Sequence, residues 1–177
     1  MRGKLTKYDY VVGIDPDVDK SGCAFLDVEK KEFISAKGQT LTELMLFFQK
    51  LLYLQQTENK KILVVVEAGW KNESNWHLTA AARYARNPLA RAAAIGGDAK
   101  RNQQRGRDIL EIANGFFGFD ISDPKPLKKC WAGKDGKITH QELAAFTNLQ
   151  GRNNQDVRDA ALLAWVSANL PIRILRK

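Results

Sequence analysis

The chain has 177 residues, 44% of them hydrophobic and 27% charged, and a formal net charge of +8 at pH 7. That length predicts one domain, residues 1–177, with a sizeable core, and the balance excludes a disordered or collagen-like chain. No apolar run approaches the ~20 residues of a membrane span. The two cysteines, Cys23 and Cys130, lie far apart without a pattern, so the expectation is a soluble cytoplasmic protein with no disulfide framework.

Taken in chain order, residues 8–15 (YDYVVGID) are β-branched and aromatic and predict a strand ending on Asp15. Asp17, Asp19 and Gly22 mark a turn, after which 21–28 and 31–36 predict two more strands. Residues 40–56 open with a Thr-x-x-Glu capping box, Thr40 and Glu43, and carry apolar residues at helical spacing. The run 61–67 (KILVVVE) suits a fully buried central strand ending on Glu67. A polar loop with Trp70, Trp76 and His77 follows. Then come helical patches at 78–86, 88–95 and about 101–117, separated by Asn87-Pro88 and Gly96-Gly97. A short strand at 119–122, a loop at 133–139, a helix at 139–148 capped by Thr139 and a last helix at about 154–169 complete the order. Five strands interleaved with helices argue for one α/β layer fold.

The positive charge is clustered. Residues 83–107 hold seven basic side chains (Arg83, Arg86, Arg91, Lys100, Arg101, Arg105, Arg107) against Asp98 alone. Residues 125–140 hold Lys125, Lys128, Lys129, Lys134 and Lys137 against Asp135. Such clusters are the footprint of a polyphosphate partner, although a solvated surface has the same composition. Acids stand where apolar sequence would otherwise continue: Asp15 and Glu67 at strand ends, Asp156 and Asp159 on one face of the last helix. If the first and fourth strands are neighbours under that helix, the four carboxylates converge. Like charges at that range oppose joint ionisation. Divalent cations such as Mg²⁺ relieve that repulsion, and two of them can clamp an in-line phosphoryl displacement. Acids for metal beside bases for phosphate make a nuclease hypothesis.

The same residues carry a resemblance. GIDPDVDKSG (13–22) resembles the first-strand motif of RuvC-type Holliday junction resolvases, and VVVEAGW (64–70) their fourth strand with its terminal Glu and following aromatic. QDVRDAALLAW (155–165) is similar to their last helix, and LKKCWAGKDGKITHQEL (127–143) to their segment of Lys, glycine loop and basic residue opening a helix. The likeness runs over nearly the whole chain. It implies a ribonuclease H-like fold, a mixed five-stranded sheet flanked by helices. It further implies Asp15, Glu67, Asp156 and Asp159 as ligands of Mg²⁺, with Mn²⁺ as a substitute, and a homodimer that cuts four-way junction DNA. Asp17 stands where the family usually has Gly, His140 where many members have Lys, and residues 71–97 are longer than usual.

Other side chains fit that function, each with a plainer reading beside it. His140 fits a role at the scissile phosphate or as a proton shuttle, or is only a polar residue in a first helical turn. Trp70 fits stacking on an opened base, or cover for the core edge. Arg101, Arg105, Arg107, Lys128, Lys129, Lys134 and Lys137 fit phosphate contact, against the ordinary role of solvated cations. Trp76 fits packing, His77 is given no role, and Cys23 fits the sheet core. Three other functions compete. An actin-like ATPase needs two such domains. A ribonuclease H proper places its catalytic Glu on the first helix, where only Glu43 is found. A non-catalytic branched-DNA binder has no need of four acids.

Overall fold

A computed structural model describes residues 7–72 and 81–173. Strand β1, Tyr10–Asp15, pairs antiparallel with β2, Ser21–Asp27, which pairs antiparallel with β3, Glu32–Gln39. Helix α1, Leu41–Glu58, crosses over to β4, Ile62–Val66, which lies parallel to β1 on its other side. Strand β5, Asp120–Ser122, adds parallel to β4, so the sheet order is β3-β2-β1-β4-β5. The expected mixed five-stranded sheet is therefore present, with the two acid-tipped strands adjacent.

Both faces of this sheet are covered, and strand alternation assigns residues to each. On one face Val11, Ala24, Leu26, Leu63 and Val65 pack against the last helix, α4, Gln155–Ser167, through Ala160, Leu163 and Ala164. On the other, Val12, Ile14, Cys23, Phe25, Val64 and Val66 meet Leu44, Phe48 and Leu51 of α1 and Ile109 of α2, Pro88–Glu111. Thr40 and Glu43 form the capping box of α1 as expected, each bonded to the other's backbone N–H. Thr139 caps a short α3, His140–Ala144, in the same way. That helix stops four residues before the expected end.

The segment after β4 departs most from expectation. Gly96-Gly97 does not separate two helices: α2 runs unbroken from Pro88 to Glu111 and continues into a π-helical turn, Ile112–Phe116. Asn87 caps its start, accepting from the Ala90 N–H at 3.2 Å, and Pro88 holds the first helical φ. Two glycines cost a helix only ~2 kcal/mol, and the surrounding Ala, Arg, Lys and Gln are strong formers. Only a 3-10 turn, Ala81–Tyr84, forms within the described part of the expected 78–86 helix. Trp76, His77 and Leu78, and the side chains of Ala81 and Arg83, lie outside the described residues. No helix among the described residues is long and apolar enough to cross a membrane.

Candidate active site

Two glycines decide how close α4 comes to the sheet. A Cβ at Gly13 would run into the Ala160 carbonyl oxygen, and one at Gly22 into the Asp156 carbonyl. With hydrogen at both places, the helix backbone rests directly on β1 and β2. Gly22 is also the residue opposite Asp15 in the β1–β2 ladder. The first turn of α4, carrying Asp156 and Asp159, therefore sits over the end of β1. Asn154 fixes its start, accepting from the Val157 N–H at 2.9 Å.

Glu67 joins them from the other side. Ile14 and Val66 are partners in the parallel ladder, and the Glu67 N–H donates to the Ile14 carbonyl at 3.0 Å, carrying the register one residue further. Asp15 and Glu67 are thus side by side at the carboxyl edge of the sheet, where ligands of open α/β sheets bind. The electrostatics make one cluster of the four acids. Burial, then the charges of Glu67, Asp159 and Asp156, hold the Asp15 carboxyl well above its ordinary value. Glu67 is raised by burial and by Asp159, with Lys137 and Lys129 opposing. Asp156 is raised by burial, against Lys137, with Asp17 and Asp159 adding to the rise.

A cation already stands among them. The Lys137 ammonium donates to Asp159 Oδ2 at 2.7 Å, and the Gln155 amide donates to Asp159 Oδ1 at 2.7 Å. No three acidic, histidine or cysteine groups among the described residues are disposed as a ready-made ligand set for one ion. The hard carboxylate oxygens, crowded and partly buried, nonetheless suit a hard divalent cation. A cleft of about 330 Å³ opens over Asp15 and Glu67, and its rim carries Asn102, Gln103, Lys129 and Lys137. A smaller recess of about 50 Å³ beside Glu67 and Asp159 is lined by Lys128, Lys129 and Trp131.

The remaining candidates divide. Lys128, Lys129 and Lys137 lie at the clefts, whereas His140 opens α3 and lines neither. Lys134 is exposed in the turn before Lys137. Trp70 is half-buried against the core, its ring edge against Gly106, with the Arg107 guanidinium 5.4 Å from its ring centre. Arg105 donates to the Val18 carbonyl at 3.2 Å, and Arg101 pairs with Asp98. Sequence reasoning gave no part to two residues that shape the site. Asn102 binds both the Val18 N–H and the Asp17 carboxylate, tying α2 to the β1–β2 turn. Gln155 was detectable as the residue one helical turn before Asp159; Asn102 left no signal.

The architecture and the acid-tipped central strands define a ribonuclease H-like fold. No protein-family model and no curated protein sequence matches the chain. Among solved structures, Thermus thermophilus RuvC in complex with a Holliday junction substrate is similar at a TM-score of 0.52 and 13% identity, over 88% of this chain and 89% of that one. A second T. thermophilus RuvC structure is matched at a TM-score of 0.47 and 15% identity, over 94% and 99% of the two chains. The yeast mitochondrial Holliday junction resolvase Ydc2 is matched at a TM-score of 0.34 and 13% identity, over 92% and 80%.

Proposed function

We propose that this single-domain chain is a metal-dependent endodeoxyribonuclease that cuts branched DNA such as four-way junctions. One observation carries the reading: four carboxylates from β1, the end of β4 and α4 gather beside a lysine-lined cleft. Asp15, Glu67, Asp156 and Asp159 would hold Mg²⁺, or Mn²⁺ in its place. When bound, such cations stabilise the attacking and leaving oxygens of phosphodiester hydrolysis. The chain's own residues supply the rest. Lys128 and Lys129 offer charge to the phosphate backbone at the cleft mouth, and Asn102 holds the β1–β2 turn so that Asp15 keeps its place. The fold is that of a RuvC structure which holds a Holliday junction, and this supports four-way DNA as the first substrate to try.

A pseudo-two-fold junction calls for two sites, and we infer a homodimer. Its surface lies on the uncovered first half of α2, where Leu89 is exposed, because Ile109, Ala113 and Phe117 further along are spent on the core. The test is incubation with labelled four-way junction and duplex DNA, with Mg²⁺ and with EDTA. Metal-dependent cutting of the junction in preference to the duplex is expected. Junction binding without cutting under any divalent cation would leave a branched-DNA binder and overturn the nuclease.

A further inference from the structure

The position of Lys137 is built by its surroundings. Its loop closes on itself: the Trp131 N–H donates to the Gly136 carbonyl and the Gly133 N–H to the Lys137 carbonyl, each at 3.0 Å. Gly133 has no room for a Cβ against that carbonyl, and Gly136 holds φ +72° against Lys129, a conformation that favours glycine. The loop thus fixes where the lysine stem begins and turns it inward. At the far end, the Asp159 carboxylate is only 16% exposed and is clasped on both oxygens. Gln155, which holds the second oxygen, is itself braced by Arg158, which donates to Gln155 Oε1 at 2.5 Å and to the Ile138 carbonyl at 3.0 Å.

An ammonium and a divalent cation compete for the same lone pairs, and the charge of Lys137 reaches Asp15, Glu67 and Asp156 as well. Lys137 also shares the rim of the larger cleft with Lys129, so a phosphate entering there meets both ammonium groups. A lysine has a flexible stem and a compact charge, so its ammonium can swing between neighbouring anions. We propose that Lys137 is a resident stand-in for the metal: its ammonium holds Asp159 in the metal-free protein, and a DNA phosphate draws it away, releasing Asp159 to a divalent cation. This deepens the nuclease reading and rests on it. Its consequence is that DNA and metal bind cooperatively, each raising the affinity of the other by the same factor.

Calorimetric titration of Mn²⁺ into the full chain tests the first half. Lys137→Met should bind Mn²⁺ roughly tenfold more tightly than the native protein in the absence of DNA, within the usual range for coupled sites. Lys137→Arg, which keeps the charge, should stay near native. Fluorescence anisotropy of a labelled junction tests the second half. Ca²⁺ should tighten junction binding by the native protein, and by Lys137→Met much less. Thermal melting in EDTA establishes that the variants are folded, and Lys137→Gln replaces Lys137→Met should the latter not fold. Equal or weaker Mn²⁺ affinity in the neutral variant, with native binding intact, would make Lys137 a fixed structural partner and overturn the exchange alone. Absence of Mn²⁺ binding from native and variant proteins alike would overturn the nuclease reading with it.

Discussion

Asp15 meets three other carboxylates at the end of β1 with little water to screen them. The folded chain therefore binds protons more tightly at Asp15, Glu67 and Asp156 than the unfolded chain does. A raised acid contributes stability that is full below its ordinary value, 3.8 for Asp15, and lost as pH climbs through the raised one. Without metal, these three groups make the fold less stable as pH rises from about 4 toward neutrality. Asp9 and Glu43, both lowered, act in the opposite sense, so the comparison must be a difference. Asp15→Asn should melt above the native protein at pH 7 in EDTA, and the gap should close below pH 4. A gap that does not depend on pH would mean that Asp15 carries no such repulsion. On the proposed function, the same substitution costs several kcal/mol of transition-state stabilisation, about a thousandfold in junction cleavage, with binding retained.

At the scale of elements, glycines of the same type do opposite work. Gly22 is the seat of α4, and a methyl there must push the helix off β2. Gly22→Ala should destabilise by roughly 1–3 kcal/mol, the usual cost of overpacking. On the proposed function it should also lose cleavage although every acid remains. Gly97, exposed in mid-helix with nothing within 4 Å of where a methyl would stand, should gain about 0.5–1 kcal/mol as Ala. Urea unfolding of both variants checks the pair, and two changes of the same sign would contradict the seating of α4. This contrast also marks the limit of what the chain discloses. Strand runs and the Thr40–Glu43 box are local patterns, and α1 and the five strands were legible from them. Gly96-Gly97 reads locally as a break. Whether a glycine breaks a helix, seats one or merely weakens one depends on what packs against it, and that information is not in the neighbouring residues.

For the whole molecule, the excess of positive charge is distributed between structure and surface. Arg105 and Arg101 are engaged with Val18 and Asp98, and Arg107 with Trp70, so the α2 cluster serves in part to hold the protein together. Lys128 and Lys129 are exposed at the clefts, which on the proposed function makes them the better phosphate partners. Reversing both to Glu should flatten the log–log salt dependence of junction binding by about 0.9 for each phosphate no longer neutralised. A slope identical to native would assign them to the solvated surface. Asp15 and Glu67 were legible because strand-end carboxylates interrupt apolar runs, and Asp156 and Asp159 because their i, i+3 spacing puts them on one face of a helix. The inward turn of Lys137 was not, since a lysine in a glycine loop looks the same whether it faces water or an aspartate. A homodimer, at twice the 19.9 kDa chain, is checked by sedimentation at micromolar concentration.

The seating of α4 also sets a timetable. Asp15 and Glu67 leave the ribosome before Asp156 and Asp159, which emerge only after all five strands of the sheet and their crossovers have been made. Until then Val11, Leu26, Leu63 and Val65 face water on one side of the sheet, the kind of surface that invites misassembly during synthesis. Docking of α4 covers that side and brings the second pair of acids to the first in one event. A nascent chain still tethered short of α4 therefore has no acid cluster, and the four acids meet only when α4 docks.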